Sequence, residues 1–470
     1  MSIPFGFSLG DDNNNDDLAS FFEQMGQAMR NAGTAKGYVD WESVKNASSK
    51  VLKQENDPTV GRDVHEQITR ASELANLWLD EATSYPSGGT HCEIMKRSGW
   101  IASTFDTWQT IVEPVASGLA QAMTSLMPEG DNALEQGMLA IPEELLNQMP
   151  PEIAQQLKDM IGSEDFSNML KPMMDMARSM SATMFGTQFG EHIGWMSTSV
   201  LSATDVGLPL NRDTTPTYIG ENVRKFCQEL GSSESDAYVY IALREVAHQR
   251  LFTHAPWMLT QIQTALGTYA RGVKIDTSQI ENMINNIDIN NLEEVNTELS
   301  VELSLLEPTE EQQAAVARIE LLLAFIEGWV TTVVLRAANN RLPNALALEE
   351  TFRRRRAAGG PAERLFKGLI GLELHPRKIR EATSMWQKLT DTVGIQERDQ
   401  LWSHPDLLPT DTDIEDIDAF IKRNTHDIMA DLQRAMNSDV PAPQEGSNTT
   451  FPNETDSHVT DDDNDDQSSS

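Results

Sequence analysis

The sequence predicts a mostly α-helical protein with little β-structure and acidic ends. Apolar residues recur at helical spacing over long stretches that contain few turn residues. Single hydrophobic cores stop growing at about 250–300 residues, so a chain of 470 residues predicts a large domain over 18–436, with two possible lobes at about 18–200 and 201–436. The tails over 1–17 and 437–470 are acidic, contain no Lys or Arg, and are predicted to be disordered.

The composition argues against several classes of partner and location. A net charge of −36 repels phosphate backbones and anionic lipid, so neither nucleic acid nor a membrane surface is expected as a partner. The two cysteines, Cys92 and Cys227, are far apart and fit a reducing cytoplasm better than a disulfide framework. The N-terminus lacks the basic segment of a signal peptide, and the most apolar run, Leu321–Leu335, is too short to span a bilayer. We therefore expect a cytoplasmic protein.

Helical patterns dominate the first half of the chain. They are predicted over Leu18–Ala32, Val60–Tyr85 and Trp100–Leu126. Methionines then cluster between Pro142 and Met196, and Met at helical spacing indicates core packing more often than a surface that binds partner helices.

Three glycines in the methionine-rich region share one helix face. Gly186, Gly190 and Gly194 recur at every fourth residue, which on a helix gives a strip without side chains. We expect a second helix to pack closely against that strip.

A break separates this region from the next helix. It covers Asp205–Asn222 and contains a possible extended segment at Thr214–Ile219. The following helix is predicted from Ala237 to about Thr253, because apolar residues recur there at helical spacing. Ser233 and Asp236 fit a loose capping box at its start.

This helix carries a chemically suggestive motif, Arg244-Glu245-x-x-His248. Positions 244 and 248 are one turn apart and face the same way, with Glu245 beside them. Zinc proteases use this geometry as His-Glu-x-x-His, in which two imidazoles hold the metal and the Glu takes a proton from bound water. Here the first ligand position is Arg, which stays protonated and cannot bind a cation. The motif therefore indicates a zinc-protease helix that lacks one ligand.

A later helix supplies a buried acid. Thr309 and Gln312 form a capping box, which predicts a helix that begins there and runs to Asn340. Glu327 lies in the most apolar part of this helix, so we expect its carboxylate to be buried. An unpaired carboxylate is unfavourable in such surroundings, so Glu327 needs a cation, which is either a metal or a side chain such as Arg244.

His254 is a candidate third metal ligand. It follows His248 by six residues, which is the spacing of the third His in the longer zinc-protease motif. Leu251 stands where that motif has Gly, however, so the sharp turn that the longer motif requires is not expected. The sequence favours the alternative, in which His254 caps the end of the helix.

Several segments together resemble a known family. They are Ala242–Trp257, Ile326–Val330, Thr351–Arg356, Gly371–Leu374 with the basic residues that follow, and the opening Pro4–Phe7. They are similar to a bacterial, mainly actinobacterial, family of zincin-like metallopeptidases, or zinc-dependent hydrolases. The resemblance implies a mostly helical zincin-like fold, with Glu245 as general base and with His248 and Glu327 as zinc ligands. The chain resembles the branch with Arg in place of the first His.

Three interpretations remain open. The first is a metallopeptidase, in which Glu245 deprotonates a zinc-bound water that attacks a peptide carbonyl. The second is a metal-free relative, a candidate pseudoenzyme, in which Arg244 pairs with Glu327 or Glu245 and the groove binds a peptide or protein without cutting it. The third is a satisfied buried polar network. The residues alone favour the second and third interpretations, and the family resemblance favours the first.

Four consecutive arginines, Arg353, Arg354, Arg355 and Arg356, form a positive cluster in an acidic protein. The sequence favours pairing of these guanidinium groups with acids of the chain itself. The alternative is capture of a carboxylate, such as a peptide C-terminus, because guanidinium forks bind carboxylates through paired hydrogen bonds.

Overall fold

The computed structural model is mostly helical, which confirms the predicted fold class. It describes residues 37–89, 91–124, 164–211, 215–272, 308–357, 359–370 and 378–423. The predicted acidic tails, the predicted helix at Leu18–Ala32 and part of the methionine cluster lie outside the described residues. The chain divides into two units, residues 1–417 and 418–470, and 418–423 is the described part of the second.

The described part of the first unit contains a series of helices and one pair of short strands. In chain order the described elements are α1 (Trp41–Glu55), α2 (Arg62–Leu79), β1 (Glu93–Met95), α3 (Arg97–Thr124), α4 (Glu164–Ser197), β2 (Thr217–Ile219), α5 (Gly220–Glu229), α6 (Glu234–His254), α7 (Trp257–Arg271), α8 (Glu310–Ala338), α9 (Ala345–Ala357), α10 (Pro361–Ile370), α11 (Ile379–Val393), α12 (Ile395–Gln400) and α13 (Asp411–Glu415).

Helices α6 and α8 form the centre of the first unit. Every residue from Tyr240 to Phe252 in α6 is buried, and so is every residue from Leu322 to Val334 in α8. The two helices pack against each other, while α2 covers α6, and α7 and α11 cover α8. Gly328 lets α11 approach α8 closely, because a Cβ atom there would lie 2.8 Å from the backbone of α11. Polar residues within these two buried stretches are therefore enclosed by protein.

Helix α8 begins at the predicted capping box. The Thr309 side chain accepts from the backbone N–H of Gln312, and the Gln312 side chain accepts in return from the backbone N–H of Thr309. The whole helix is long and apolar enough to cross a membrane, which the sequence argument from the shorter run at Leu321–Leu335 missed. Its most apolar window is 83% buried within the protein, as is usual for a core helix.

The glycine strip of α4 packs against α1, as the sequence predicts. A Cβ atom at Gly186 would lie 2.4 Å from the carbonyl oxygen of Asp40, and one at Gly190 would lie 2.4 Å from that of Val44. At Gly194 the added atom would meet the Val51 side chain at 2.9 Å. Backbone therefore contacts backbone along this helix pair, which only glycine permits.

The break between α4 and α5 contains the predicted extended segment, but only its last residues form a strand. Strand β2 pairs in parallel with β1, which the sequence did not predict. The capping box predicted at Ser233 is wrong, because a single 3₁₀ turn over Gly231–Ser233 leads into α6 and the Ser233 side chain makes no capping hydrogen bond. β2 lies directly over the motif on α6, as its contacts with Glu245 demonstrate.

Candidate functional site

The motif residues of α6 lie in the protein interior. Arg244, Glu245 and His248 are at most 4% exposed. They are buried because α6 is covered on every side, by α2, α8 and α9 among other elements. Groups of this polarity are stable in a core only when other groups satisfy their charges and hydrogen bonds.

Glu327 receives the positive charges of two arginines. Nη2 of Arg244 lies 2.7 Å from Oε2 of Glu327 and donates a hydrogen bond to it. Nη2 of Arg356, from α9, lies 2.5 Å from the same oxygen. His248 approaches the other oxygen, with 3.4 Å between its Nε2 and Oε1. The predicted burial of Glu327 and its pairing with Arg244 are both confirmed.

A second carboxylate balances the charge of this site. Oε2 of Glu349 lies 3.8 Å from Nη1 of Arg244 and accepts a hydrogen bond from the hydroxyl of Tyr240. The guanidinium of Arg244 also lies over the ring of Phe352, 5.2 Å from its centroid. Two guanidinium groups and two carboxylates therefore neutralise one another within the core.

These charges shift the pKa values of the groups involved. Burial alone would raise the pKa of Glu327, but Arg356 and then Arg244 lower it well below the ordinary range. Burial alone would lower the pKa of Arg244, but Glu327 and its other neighbours raise it above the ordinary value. Glu327 is therefore an anion, and Arg244 a cation, over the whole physiological pH range.

The lowered pKa of Glu327 predicts a loss of stability in acid. A carboxylate whose pKa is lower in the folded than in the unfolded state stabilises the fold above its unfolded pKa, and this contribution is lost as the pH falls toward the folded pKa. We expect the free energy of unfolding to fall as the pH drops below about 4.5, and to fall less steeply in Glu327→Gln. Urea unfolding followed by circular dichroism between neutral pH and pH 3 measures both slopes. Equal slopes for the natural chain and Glu327→Gln would contradict the lowered pKa of Glu327. Glu310→Gln, at the exposed start of α8, is the control and should keep the slope of the natural chain.

The carboxylate of Glu245 is saturated by donors of the protein. Oε2 accepts from the backbone N–H of Thr204, at 3.2 Å, and from its hydroxyl. Oε1 accepts from the backbone N–H of Thr217 at 3.1 Å and from Nε2 of Gln249 at 2.9 Å. A carboxylate offers about four acceptor positions, so these four hydrogen bonds leave none for a water molecule. Through these hydrogen bonds Glu245 links β2 and the preceding loop to α6.

Comparison with known proteins identifies the family. The family model for zincin-like metallopeptidases matches residues 39–421. The chain belongs to the zincin-like metallopeptidase family. A crystal structure from Chloroflexus aurantiacus, described as that of a candidate hydrolase with a novel fold, is similar at 19% identity and a TM-score of 0.52, covering 82% of this chain and 99% of that one. Curated proteins give no match.

The residues at this zincin-like site do not fit a zinc ion. Zinc takes neutral imidazoles, thiolates and carboxylates with lone pairs directed at the metal. Arg244 has no lone pair to offer, and Oε2 of Glu327 is held by two guanidinium groups. Within the described ranges, no group of three or more His, Cys, Asp and Glu side chains could hold a metal ion. The assignments of Glu245 as general base and of His248, Glu327 and His254 as ligands stay predictions from the sequence.

His254 lies at the end of α6, as the alternative to ligation predicts. Its Nδ1 lies 2.7 Å from the carbonyl oxygen of Arg250. Its ring stacks on Tyr85 with the ring centroids 4.4 Å apart. The imidazole thus contacts the loop after α2 instead of joining the groups around Glu327.

The four consecutive arginines all pair with acids of the chain, as the sequence favours. Arg353 and Arg354 pair with Glu350 on the same helix. Arg355 forms a two-pronged pair with Asp205, with distances of 3.0 and 2.9 Å, and the fourth arginine reaches Glu327. Capture of an external carboxylate by these guanidinium groups stays a prediction.

Sequence reasoning missed most of the long-range partners of the motif. The sequence does not distinguish Arg356 from Arg353, Arg354 and Arg355, although it alone of the four reaches Glu327. The sequence does not identify Thr204 and Thr217 as donors to Glu245, because three of the four hydrogen bonds join residues distant in sequence and two of these come from backbone N–H groups, which leave no signal. The one available signal is that Thr217 lies within the break before α5 and Thr204 directly precedes it, because this segment has to pack on some part of the core.

Proposed function

We propose that this chain is a metal-free, non-hydrolytic member of the zincin-like family that serves as a peptide- or protein-binding scaffold in the cytoplasm. The observation that carries the proposal is the pair of guanidinium groups on Glu327, with Arg244 at 2.7 Å and Arg356 at 2.5 Å. This carboxylate would have to hold the metal in a peptidase, and here it holds two cations of the chain. We also assign the chain to the branch of the family with Arg in place of the first His, since Arg244 stands at the first ligand position.

The state of Glu245 supports the same proposal. A general base must accept a proton from water within hydrogen-bond reach, but the acceptor positions of Glu245 are filled by Thr204, Thr217 and Gln249.

Zinc content tests the proposal directly. We expect far less than one zinc per chain in protein purified without metal-affinity resin, measured by elemental mass spectrometry. We also expect no cleavage of a mixed peptide library, with or without added zinc. Binding without cleavage would appear as intact peptides retained in native mass spectra. Near-stoichiometric zinc that is lost in His248→Ala would instead favour zinc-dependent peptide hydrolysis, the activity that the family name implies.

Glu245→Gln separates a catalytic from a structural role. In a peptidase this change abolishes hydrolysis and leaves the fold intact. In the metal-free protein we expect a loss of about 1–3 kcal/mol in the free energy of unfolding, because the amide N–H₂ faces a backbone donor that then lacks an acceptor. Urea denaturation measures the change, with the exposed Glu229→Gln on α5 as a matched control. Equal stability of the two variants would contradict the structural role.

A further inference from the structure

Arg356 connects the motif to a helix distant in sequence. It lies on α9, more than 100 residues after Arg244, and its Nη2 reaches the same oxygen of Glu327 that Arg244 binds. The side chain of Glu327 is only 6% exposed, so both cations meet it away from bulk water. Two guanidinium groups on one buried carboxylate are more than a simple ion pair requires.

The two guanidinium groups together carry the charge of one divalent ion. Each arginine contributes a single positive charge that proteins do not remove. Glu327 and Glu349 supply the matching negative charges. A zinc ion in place of both guanidinium groups would leave the net charge of this cluster unchanged.

The His248 ring nitrogen that would bind a metal, Nε2, is directed toward Glu327. Nδ1 of the same ring lies 2.9 Å from the backbone carbonyl of Arg244, which fixes the ring and directs Nε2 toward Oε1 of Glu327. Nε2 has no well-aligned hydrogen-bond partner. Metal-binding imidazoles are oriented by the same kind of hydrogen bond from the opposite ring nitrogen, and a change of the side chain at position 244 leaves the backbone carbonyl in place.

We propose that Arg244 and Arg356 jointly take the place of a divalent metal ion, so that this site accepts zinc only after both guanidinium groups are removed. The inference rests on the proposed function, in which the natural chain holds no metal. Arg244→His alone supplies a second imidazole, but Arg356 remains on Oε2 of Glu327. Its positive charge, 2.5 Å from this oxygen, repels zinc and stands where the metal would approach the carboxylate.

The test compares zinc binding by four full-length variants. They are Arg244→His, Arg356→Leu, the double variant, and Arg244→His combined with Arg354→Leu. The last is the matched control, because Arg354 is exposed on the same helix and pairs only with Glu350 among the described residues. Zinc chloride is titrated into chelator-treated protein by calorimetry. Absorption of added cobalt identifies tetrahedral coordination, and circular dichroism verifies the fold.

We expect about one zinc per chain in the double variant, bound about tenfold or more tightly than in Arg244→His or in the control. We also expect zinc to raise the melting temperature of the double variant alone.

Equal zinc affinity of Arg244→His and the double variant would overturn the role of Arg356, and so would a folded double variant that binds no zinc. If leucine at 356 prevents folding, Arg244→His with Arg356→Gln removes the same charge and must meet the same criteria. Stoichiometric zinc in the unaltered protein would overturn the proposed function itself, whereas the outcomes above concern Arg356 only.

Discussion

Glu327→Ala should lower the free energy of unfolding by about 3–5 kcal/mol, because it removes the nearest counter-ion of the buried Arg244 and of the largely buried Arg356. The two guanidinium groups of Arg244 and Arg356 both lie within 2.7 Å of Oε2 of Glu327. Once that carboxylate is gone, Glu349 is the remaining acid near them, and it stands 3.8 Å from Arg244. Chemical denaturation of both proteins at neutral pH measures the difference.

The design that isolates the charge effect replaces the whole cluster. Glu327→Leu combined with Arg244→Met and Arg356→Met removes the carboxylate and both cations while retaining most of the buried volume. Buried ion pairs replaced by apolar side chains of similar size often leave stability unchanged or increase it. We therefore expect this triple variant to be more stable than Glu327→Leu alone. A triple variant that is less stable than the single one would indicate that the two arginines stabilise the core through their other contacts even without Glu327, and would contradict the charge argument.

Exposed acids on the same helix provide the control for Glu327. Glu310 lies in the first turn of α8 and Glu311 follows it, both at the surface. Alanine at Glu311 should change the free energy of unfolding by less than about 1 kcal/mol, since exposed charges contribute little. A loss in Glu327→Ala no larger than in Glu311→Ala would contradict the buried cluster.

The parts of the site that the sequence predicts are those that depend on local chemistry. A glutamate within a long apolar helix needs a cation wherever it lies in the fold, so the burial of Glu327 and its need for a positive charge follow from residue type, with a metal and Arg244 both open as its source. The capping box at Thr309 likewise involves residues three apart, whose geometry the helix itself determines. The glycine strip of α4 predicts a close helix contact for the same reason, although it does not identify α1 as the partner.

The parts that the sequence does not predict depend on which distant segments meet. Arg353, Arg354, Arg355 and Arg356 have the same side chain and adjacent positions, yet only the packing of α9 against α6 decides which of them reaches Glu327. The pairing of β1 with β2 joins segments more than 100 residues apart. Three-residue strands carry too short a pattern to be recognised.

A second buried ion pair, Arg398–Asp399, escaped sequence analysis altogether, although both residues are at most 1% exposed. They lie in α12, a six-residue helix with no apolar pattern. Oδ2 of Asp399 accepts hydrogen bonds from the hydroxyl of Thr83 and from the backbone N–H of Ser84, both at 2.7 Å. Its other oxygen, Oδ1, accepts from Nε1 of Trp329 at 2.9 Å. This carboxylate therefore joins α12 to α8 and to the loop after α2.

Asp399 should consequently be as sensitive to mutation as Glu327. Asp399→Ala leaves the guanidinium of Arg398 buried without its counter-ion and removes the acceptor of Thr83, Ser84 and Trp329. We expect a loss of about 3–5 kcal/mol in the free energy of unfolding. Asp399→Asn keeps one carbonyl oxygen and should lose less, about 1–3 kcal/mol.

The networks around Glu327 and Asp399 meet on α8, where Trp329 follows Glu327 by two residues. Only the network around Glu327 should affect zinc binding. Asp399→Ala removes no group that contacts Glu327, so in the Arg244→His/Arg356→Leu background it should lower stability while leaving the zinc stoichiometry of the folded protein unchanged. Asp391→Ala, at an exposed position of α11, is the control for denaturation. If Asp399→Ala is no less stable than Asp391→Ala, then the ion pair with Arg398 does not stabilise the core. If Asp399→Ala lowers the zinc stoichiometry of the folded double variant, then the network around Asp399 positions Glu327 as well as supporting the fold.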